Sequence, residues 1–305
     1  MVDSSIVPGE SLFGSLLTAM VTPMKADGKV DLSETGRLAE KLVDDGCDGL
    51  VVAGTTGESS TLDDEEKISL FRAVVEAVGD RAKVIAGTGS NDTAHSVLLS
   101  RMAVETGVDG LLVVTPYYLK PTQSGIQAHF EAVADATDLP VMLYDIPGRS
   151  AVPITVETML RLAEHPQIVA VKDAKADFGA ATRVMANSSL QFYSGDDGLT
   201  LPWMSVGARG VVGVTTHVAT GRFRQLVDAA AVGDLKTARA IHLELEPVIR
   251  ATMTRVPGAV AAKEILHWRG TLPRPTVRLP LVGPTSTESK LIREDLAEAG
   301  MESLQ

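Results

Sequence analysis

The sequence is poor in several things that specialised proteins need. Its 305 residues include one cysteine, Cys47. A lone thiol excludes an intrachain disulfide and a thiolate metal cluster, and it points to a reducing compartment. Cys47 lies in Asp44-Asp45-Gly46-Cys47-Asp48, where neighbouring carboxylates raise a thiol pKa and disfavour a nucleophilic role. Positive charge is scarce too, with 28 Lys and Arg against 39 Asp and Glu and a net charge of −11. A phosphate-backbone binder needs a basic face, so no nucleic-acid partner and no anionic membrane is expected. No uncharged apolar run has bilayer length. The apolar stretch Leu12 to Met24 follows Asp3 and Glu10 with no basic segment, unlike a secretory signal. The expectation is a cytoplasmic protein. Aromatic residues make up only 4%, yet the apolar fraction is 45% and the charged fraction 22%, which is a folded rather than a disordered composition. The length admits two ordinary domains or one large barrel with an appendage.

What the chain does have is rhythm. Short apolar, β-branched runs recur at 16–21, 49–53, 83–86, 110–115, 140–144, 168–172, 190–194 and 210–214, with starts 20 to 34 residues apart. Most are continuously apolar, which suits strands buried on both faces of a parallel sheet. Each gap holds a turn signal and then a helical pattern. Asp63 is placed to cap a helix over 64–78 that Gly79 stops, and a second helix covers 93–106 before Gly107. Strict alternation predicts a (β/α)₈ TIM barrel over residues 1–233. A doubly wound sheet usually carries a Gly-rich phosphate turn after its first strand, and here that strand ends Val21-Thr22-Pro23. Residues 234–305 read as a helical C-terminal extension with helices at 234–252, 258–268 and 286–299. The connector Leu272-Pro273-Arg274-Pro275 cannot be helical.

Barrel chemistry sits at the C-terminal ends of strands. Lys172 ends the sixth run, with the strand parity of Ile168 and Ala170. A lysine facing a barrel interior is desolvated, and its neutral amine can attack a carbonyl. The competing reading is an ion pair with Asp173 or a lysine reaching the rim. Gly54-Thr55-Thr56-Gly57 offers backbone N–H groups and two hydroxyls for a small carboxylate, or is an ordinary turn. Tyr118 and Tyr144 can relay protons or simply pack. Arg149 follows a stiff Ile-Pro-Gly and suits a carboxylate, or a surface ion pair. His95 and His129 fall on helices, while His217 follows the last strand and can face the mouth. Asp196-Asp197 reads as a helix cap before a metal site, and no His/Asp/Glu set has metal-ligand spacing.

Five motifs in chain order carry a resemblance. They are Gly54-Thr55-Thr56-Gly57-Glu58, Pro116-Tyr117-Tyr118, Tyr144-Asp145-Ile146-Pro147-Gly148-Arg149, Val171-Lys172-Asp173 and Ser194-Gly195-Asp196-Asp197. Together they resemble the dihydrodipicolinate synthase family, among the pyruvate-dependent class I aldolase barrels that include N-acetylneuraminate lyase. The resemblance implies Schiff-base aldol condensation of pyruvate with L-aspartate 4-semialdehyde, in lysine and diaminopimelate biosynthesis. It implies the imine on Lys172, with Thr55 and Thr56 holding the pyruvate carboxylate beside Gly195. Tyr144 then transfers protons in a relay with Thr56 and Tyr118, the latter reaching in from a neighbouring subunit. Arg149 binds the semialdehyde carboxylate, and the Val212 carbonyl lies near the lysine. It implies a homotetramer, a dimer of dimers, with no metal and no organic cofactor.

Two alternatives and two departures bear on this. Another pyruvate-imine lyase, acting on a sialic or sugar acid, shares Lys172, Tyr144 and the threonine turn. A non-catalytic carboxylate-binding barrel is the reading from a different class. Asp145 and Asp173 stand where the family often has Asn and Glu. Lysine-inhibited relatives place histidines soon after the threonine turn and a glutamate on the next helix. This chain has Asp64 and Lys67 there, and His95 for the glutamate, so weak or absent feedback by lysine is expected.

Overall fold

Eight apolar runs form eight parallel strands because each has to be buried on both faces. In the computed structural model, which describes residues 11–301, the strands are β1 (Leu16–Ala19), β2 (Gly49–Val52), β3 (Lys83–Gly87), β4 (Gly110–Val114), β5 (Val141–Asp145), β6 (Ile168–Asp173), β7 (Gln191–Ser194) and β8 (Gly210–Gly213). They pair in sequence order, and β8 returns to β1 to close the barrel. The helices are α1 (Leu32–Asp44), α2 (Asp64–Val78), α3 (Thr93–Val104), α4 (Gln123–Ala134), α5 (Pro147–Ser150), α6 (Val156–Leu162), α7 (Phe178–Met185), α8 (Thr200–Ser205) and α9 (Thr216–Ala231). The C-terminal extension adds α10 (Leu235–Met253), α11 (Gly258–Trp268) and α12 (Ser286–Glu298). The expected (β/α)₈ barrel with helices appended is the observed fold.

Local chemistry explains the boundaries. Asp63 caps α2 in a reciprocal capping box with Glu66. Gly233, at φ +77°, turns the chain from α9 into α10. Gly210 has to be glycine, since a Cβ there would stand 1.7 Å from the Ser15 carbonyl oxygen.

Strand alternation divides the core in two. Leu17, Val51, Met142, Ala170 and Val212 fill the barrel interior with Tyr144 and Tyr193. The opposite strand faces pack under the helices, and Leu245, Val248 and Ile292 of the extension belong to that same outer cluster. One irregularity corrects the parity expected for β6. The ladder pairs Val141 with Ile168 and then Met142 with Ala170, skipping Val169. The bulge leaves Ile168 in the outer cluster, while Ala170 remains inside and carries Lys172 inward with it. Among the described residues no helix is long and apolar enough to cross a membrane.

Candidate active site

The β5–β6 register sets Tyr144 opposite Lys172, each one residue before its strand ends. Both are buried, and the Lys172 Nζ stands 4.4 Å from the centroid of the Tyr144 ring. Burial lowers the amine to about 8, against an opposing pull from the Asp197 charge and with a further push from Arg149. Burial also raises the Tyr144 phenol to about 12, so it stands as a protonated donor. A nucleophilic amine thus lies beside a hydroxyl that can give and take one proton.

Sequence reasoning missed Asp197. It assigned both carboxylates of Asp196-Asp197 to capping, and the structure divides them. Asp196 caps the turn after β7, accepting from the Gly198 N–H at 2.9 Å. Asp197 is fully buried, and burial raises its pKa. It accepts the Val214 N–H at 3.1 Å, and the Thr215 N–H and hydroxyl at 2.6 Å each. Those bonds anchor the Asp197 carboxyl to the loop after β8, and its negative charge works against burial by favouring the protonated Lys172 amine. The signal available was that two adjacent carboxylates cannot both cap one turn.

The threonine turn is bracketed by two residues in the left-handed region, Ala53 at φ +53° and Glu58 at φ +59°. Non-glycine residues there signal strain held by the surroundings. Among the described residues, neither the Thr55 nor the Thr56 N–H donates a hydrogen bond, so two backbone donors stay available to a carboxylate. Thr55 is exposed and lines the cavity, with its hydroxyl near enough to the Tyr144 phenol to favour its ionised form, whereas Thr56 is buried.

A cavity of about 670 Å³ is lined by Thr55, Tyr118 and Arg149 together with Lys67 and His95. Arg149 rides on the single turn α5, its N–H bonded to the Ile146 carbonyl at 2.9 Å. Tyr118 is 85% exposed at φ +70° and makes no hydrogen bond among the described residues. One chain alone therefore does not bring Tyr118 to Tyr144. Gly195 spends its N–H on the Asp173 carbonyl at 2.7 Å, so it offers close approach rather than a donor. A Cβ there would meet the Asp173 carbonyl oxygen at 3.0 Å. Val212 lies in β8 among the interior residues around Tyr144.

The remaining candidates are structural. His217 does not serve the mouth. Its Nδ1 donates to the Val214 carbonyl at 2.7 Å, its Nε2 accepts the Val21 N–H at 3.1 Å, and burial lowers it to about 4. Cys47 is buried, which pushes its thiol up to about 12. Among the described residues no group of three or more His, Cys, Asp and Glu is disposed to hold a metal ion.

Comparison with known proteins adds three findings. Residues 12–299 match the dihydrodipicolinate synthetase family. The 4-hydroxy-tetrahydrodipicolinate synthase of Kineococcus radiotolerans is 54% identical over 289 residues, covering 95% of this chain and 94% of that protein. Two crystal structures superpose closely. Dihydrodipicolinate synthase from Cyanidioschyzon merolae, with lysine bound, has a TM-score of 0.92 at 39% identity, over 96% of this chain and 100% of that one. The chloride-inhibited enzyme from Acinetobacter baumannii, complexed with pyruvate, has 0.91 at 34% identity, over 95% of this chain and 100% of that one.

Proposed function

This chain belongs to the dihydrodipicolinate synthetase family, and from that premise we propose the chemistry of its site. The protein is a lyase that condenses pyruvate with L-aspartate 4-semialdehyde to 4-hydroxy-tetrahydrodipicolinate, for lysine and diaminopimelate synthesis. The observation that carries the mechanism is Lys172, an amine near pKa 8 buried against Tyr144.

The Lys172 amine attacks C2 of pyruvate while the carboxylate rests on the Thr55 and Thr56 N–H groups. Tyr144 donates a proton to the departing oxygen, one water leaves, and an iminium links C2 to Nζ. The cationic nitrogen is the electron sink, so the scheme needs no metal or organic cofactor. The Tyr144 phenolate left by its proton donation takes a proton from C3, which restores the phenol and gives the enamine. Its C3 attacks the aldehyde carbon, and Tyr144 protonates the resulting alkoxide. The amino group of the condensed chain then displaces Lys172 from C2, closing the ring and regenerating the amine. Thr55 takes the relay place expected of Thr56, because its hydroxyl acts on Tyr144. Asp197 offsets the positive charge on the iminium. Arg149 receives the semialdehyde carboxylate at the cavity mouth.

Tyr118 completes the relay from a second subunit, in a homotetramer built as a dimer of dimers. Its exposed position beside the half-covered cavity supports that assignment. The same reading puts the enzyme in the cytoplasm, in keeping with its single buried thiol. Borohydride reduction with pyruvate, followed by peptide mass mapping, tests the chemistry. The expected result is one adduct, on Lys172, and its absence overturns the scheme. A coupled assay with aspartate semialdehyde separates this activity from cleavage of a sugar acid.

A further inference from the structure

Glu58 ends the threonine turn and is the last of its strained residues, yet it does not line the cavity. Its side chain is 1% exposed, and so is that of Lys263, its ion-pair partner from α11. Their atoms come from positions 205 residues apart. The other carboxylate oxygen accepts the Arg278 N–H at 2.9 Å. Lys263 also donates to the Thr276 carbonyl at 2.7 Å, fixing the connector between α11 and α12. The Arg278 guanidinium reaches back to the Thr61 carbonyl at 2.6 Å, the Gly28 carbonyl at 2.9 Å and Glu66 at 2.7 Å. Glu66 belongs to the capping box that starts α2.

A buried ion pair is a poor way to add stability, since apolar side chains of similar volume do as well. What it adds is direction. The carboxylate of Glu58 is bonded on both oxygens, which holds its backbone in the left-handed region. The same backbone closes the turn, with the Glu58 N–H on the Thr55 carbonyl at 3.1 Å and the Ser59 N–H on the Gly54 carbonyl at 3.3 Å. Any rotation at Glu58 therefore passes to Thr55.

We propose that the C-terminal extension acts on the reaction through Glu58, with Lys263 and Arg278 as positioning residues that keep the Thr55 hydroxyl against Tyr144. This rests on the reading of Thr55 as the relay partner of Tyr144. It gives the extension a part in the chemistry although none of its residues meets substrate.

The test is a mutant cycle on the full chain, read as kcat and as the rate of pyruvate trapping by borohydride. The Glu58→Gln/Lys263→Met double variant removes both charges together, so neither is left buried alone. Arg278→Gln keeps the main-chain N–H on Glu58 but removes the guanidinium bonds to Thr61, Gly28 and Glu66 that hold that backbone in place, and it serves if the double variant does not fold. The double variant is expected to lower kcat at least tenfold and Arg278→Gln twofold to fivefold, each with little change in the KM for the semialdehyde. Added to Thr55→Val, each is expected to cost little more than Thr55→Val alone, because both act through one hydroxyl. A purely structural role predicts multiplying losses, and that result overturns the proposal, as does a wild-type kcat in both variants. A wild-type chain that forms no pyruvate adduct overturns the reading beneath it as well. A normal wild-type adduct with normal variants overturns the clamp alone.

Discussion

Asp145 and Asp173 are partners in the β5–β6 ladder, one residue beyond the Tyr144–Lys172 pair, and both are wholly buried on the opposite face of the strands. One cation serves both. Lys175 bonds Asp145 at 3.0 Å, while Asp173 accepts the Lys175 and Ala176 N–H groups through one oxygen and leaves its Oδ2 unpartnered. Burial raises the pKa of both carboxyls, that of Asp145 to about 6. A carboxyl raised in the folded state stabilises the fold while it is protonated. That contribution is lost as pH rises from the unfolded value near 4 through the folded value near 6. Asp173→Asn removes the like charge beside Asp145. The expected result is a gain of about 1 kcal/mol at pH 8 that shrinks as pH falls through the Asp145 value near 6, where that carboxyl takes up its proton and no longer meets a like charge. Calorimetric melting at pH values above and below 6 checks it. A loss at pH 8 would show that the Asp173 charge is needed.

The pKa of Lys172 sets the acid side of the rate profile. Only the neutral amine attacks, so kcat/KM for pyruvate is expected to fall about tenfold per pH unit below the amine's value near 8. Asp197 favours the protonated amine, so Asp197→Asn should move that limb to lower pH. Tyr144→Phe should slow formation of the pyruvate adduct and lower kcat by about 10² to 10⁴, the usual worth of a positioned proton donor. A limb that stays in place in Asp197→Asn shows that its charge does not reach the amine.

Arg149 separates the two substrates. Arg149 lines the cavity, whereas Lys172, on which the proposed scheme seats pyruvate, is buried. Arg149→Ala is expected to raise the KM for aspartate semialdehyde about tenfold or more, the loss of one charge-assisted bidentate contact. Steady-state kinetics with each substrate varied in turn decides this. An equal rise in the pyruvate KM would place Arg149 on the wrong substrate.

The barrel was legible because its strands are continuous apolar runs, and burial on both faces leaves no other pattern. Lys172 stood out for the same reason, as a charge at the end of such a run. The finer choices depend on backbone geometry that local sequence does not encode. The left-handed Ala53 and Glu58 that bracket the threonine turn have no local signature, and the displaced Ile168 follows from the bulge at Val169. The Glu58–Lys263 pair spans nearly the whole chain, beyond any periodicity argument. His217 suggested a catalytic group by its place after β8, yet both of its nitrogens are spent on backbone.

The part of the cavity lined by Lys67 and His95 bears on feedback by lysine. Recognition of an amino-acid cation there requires an acidic group free to receive it. Asp64 is already engaged, by the His95 Nε2 at 3.0 Å and the Lys67 Nζ at 3.7 Å. Asp92 is spent on capping α3, with the Ala94 N–H at 2.9 Å. Lysine would have to displace His95 and would then meet the Lys67 charge, a like-charge contact that opposes binding. Lysine is therefore expected to inhibit only weakly, at millimolar levels or above, and an inhibition constant in the low micromolar range would refute this. The converse change is the sharper test. His95→Glu with Lys67→His supplies a carboxylate and removes the opposing cation, so the double variant should bind lysine about tenfold more tightly by calorimetric titration. No gain would mean that the cavity's shape, rather than its charge, excludes the ligand.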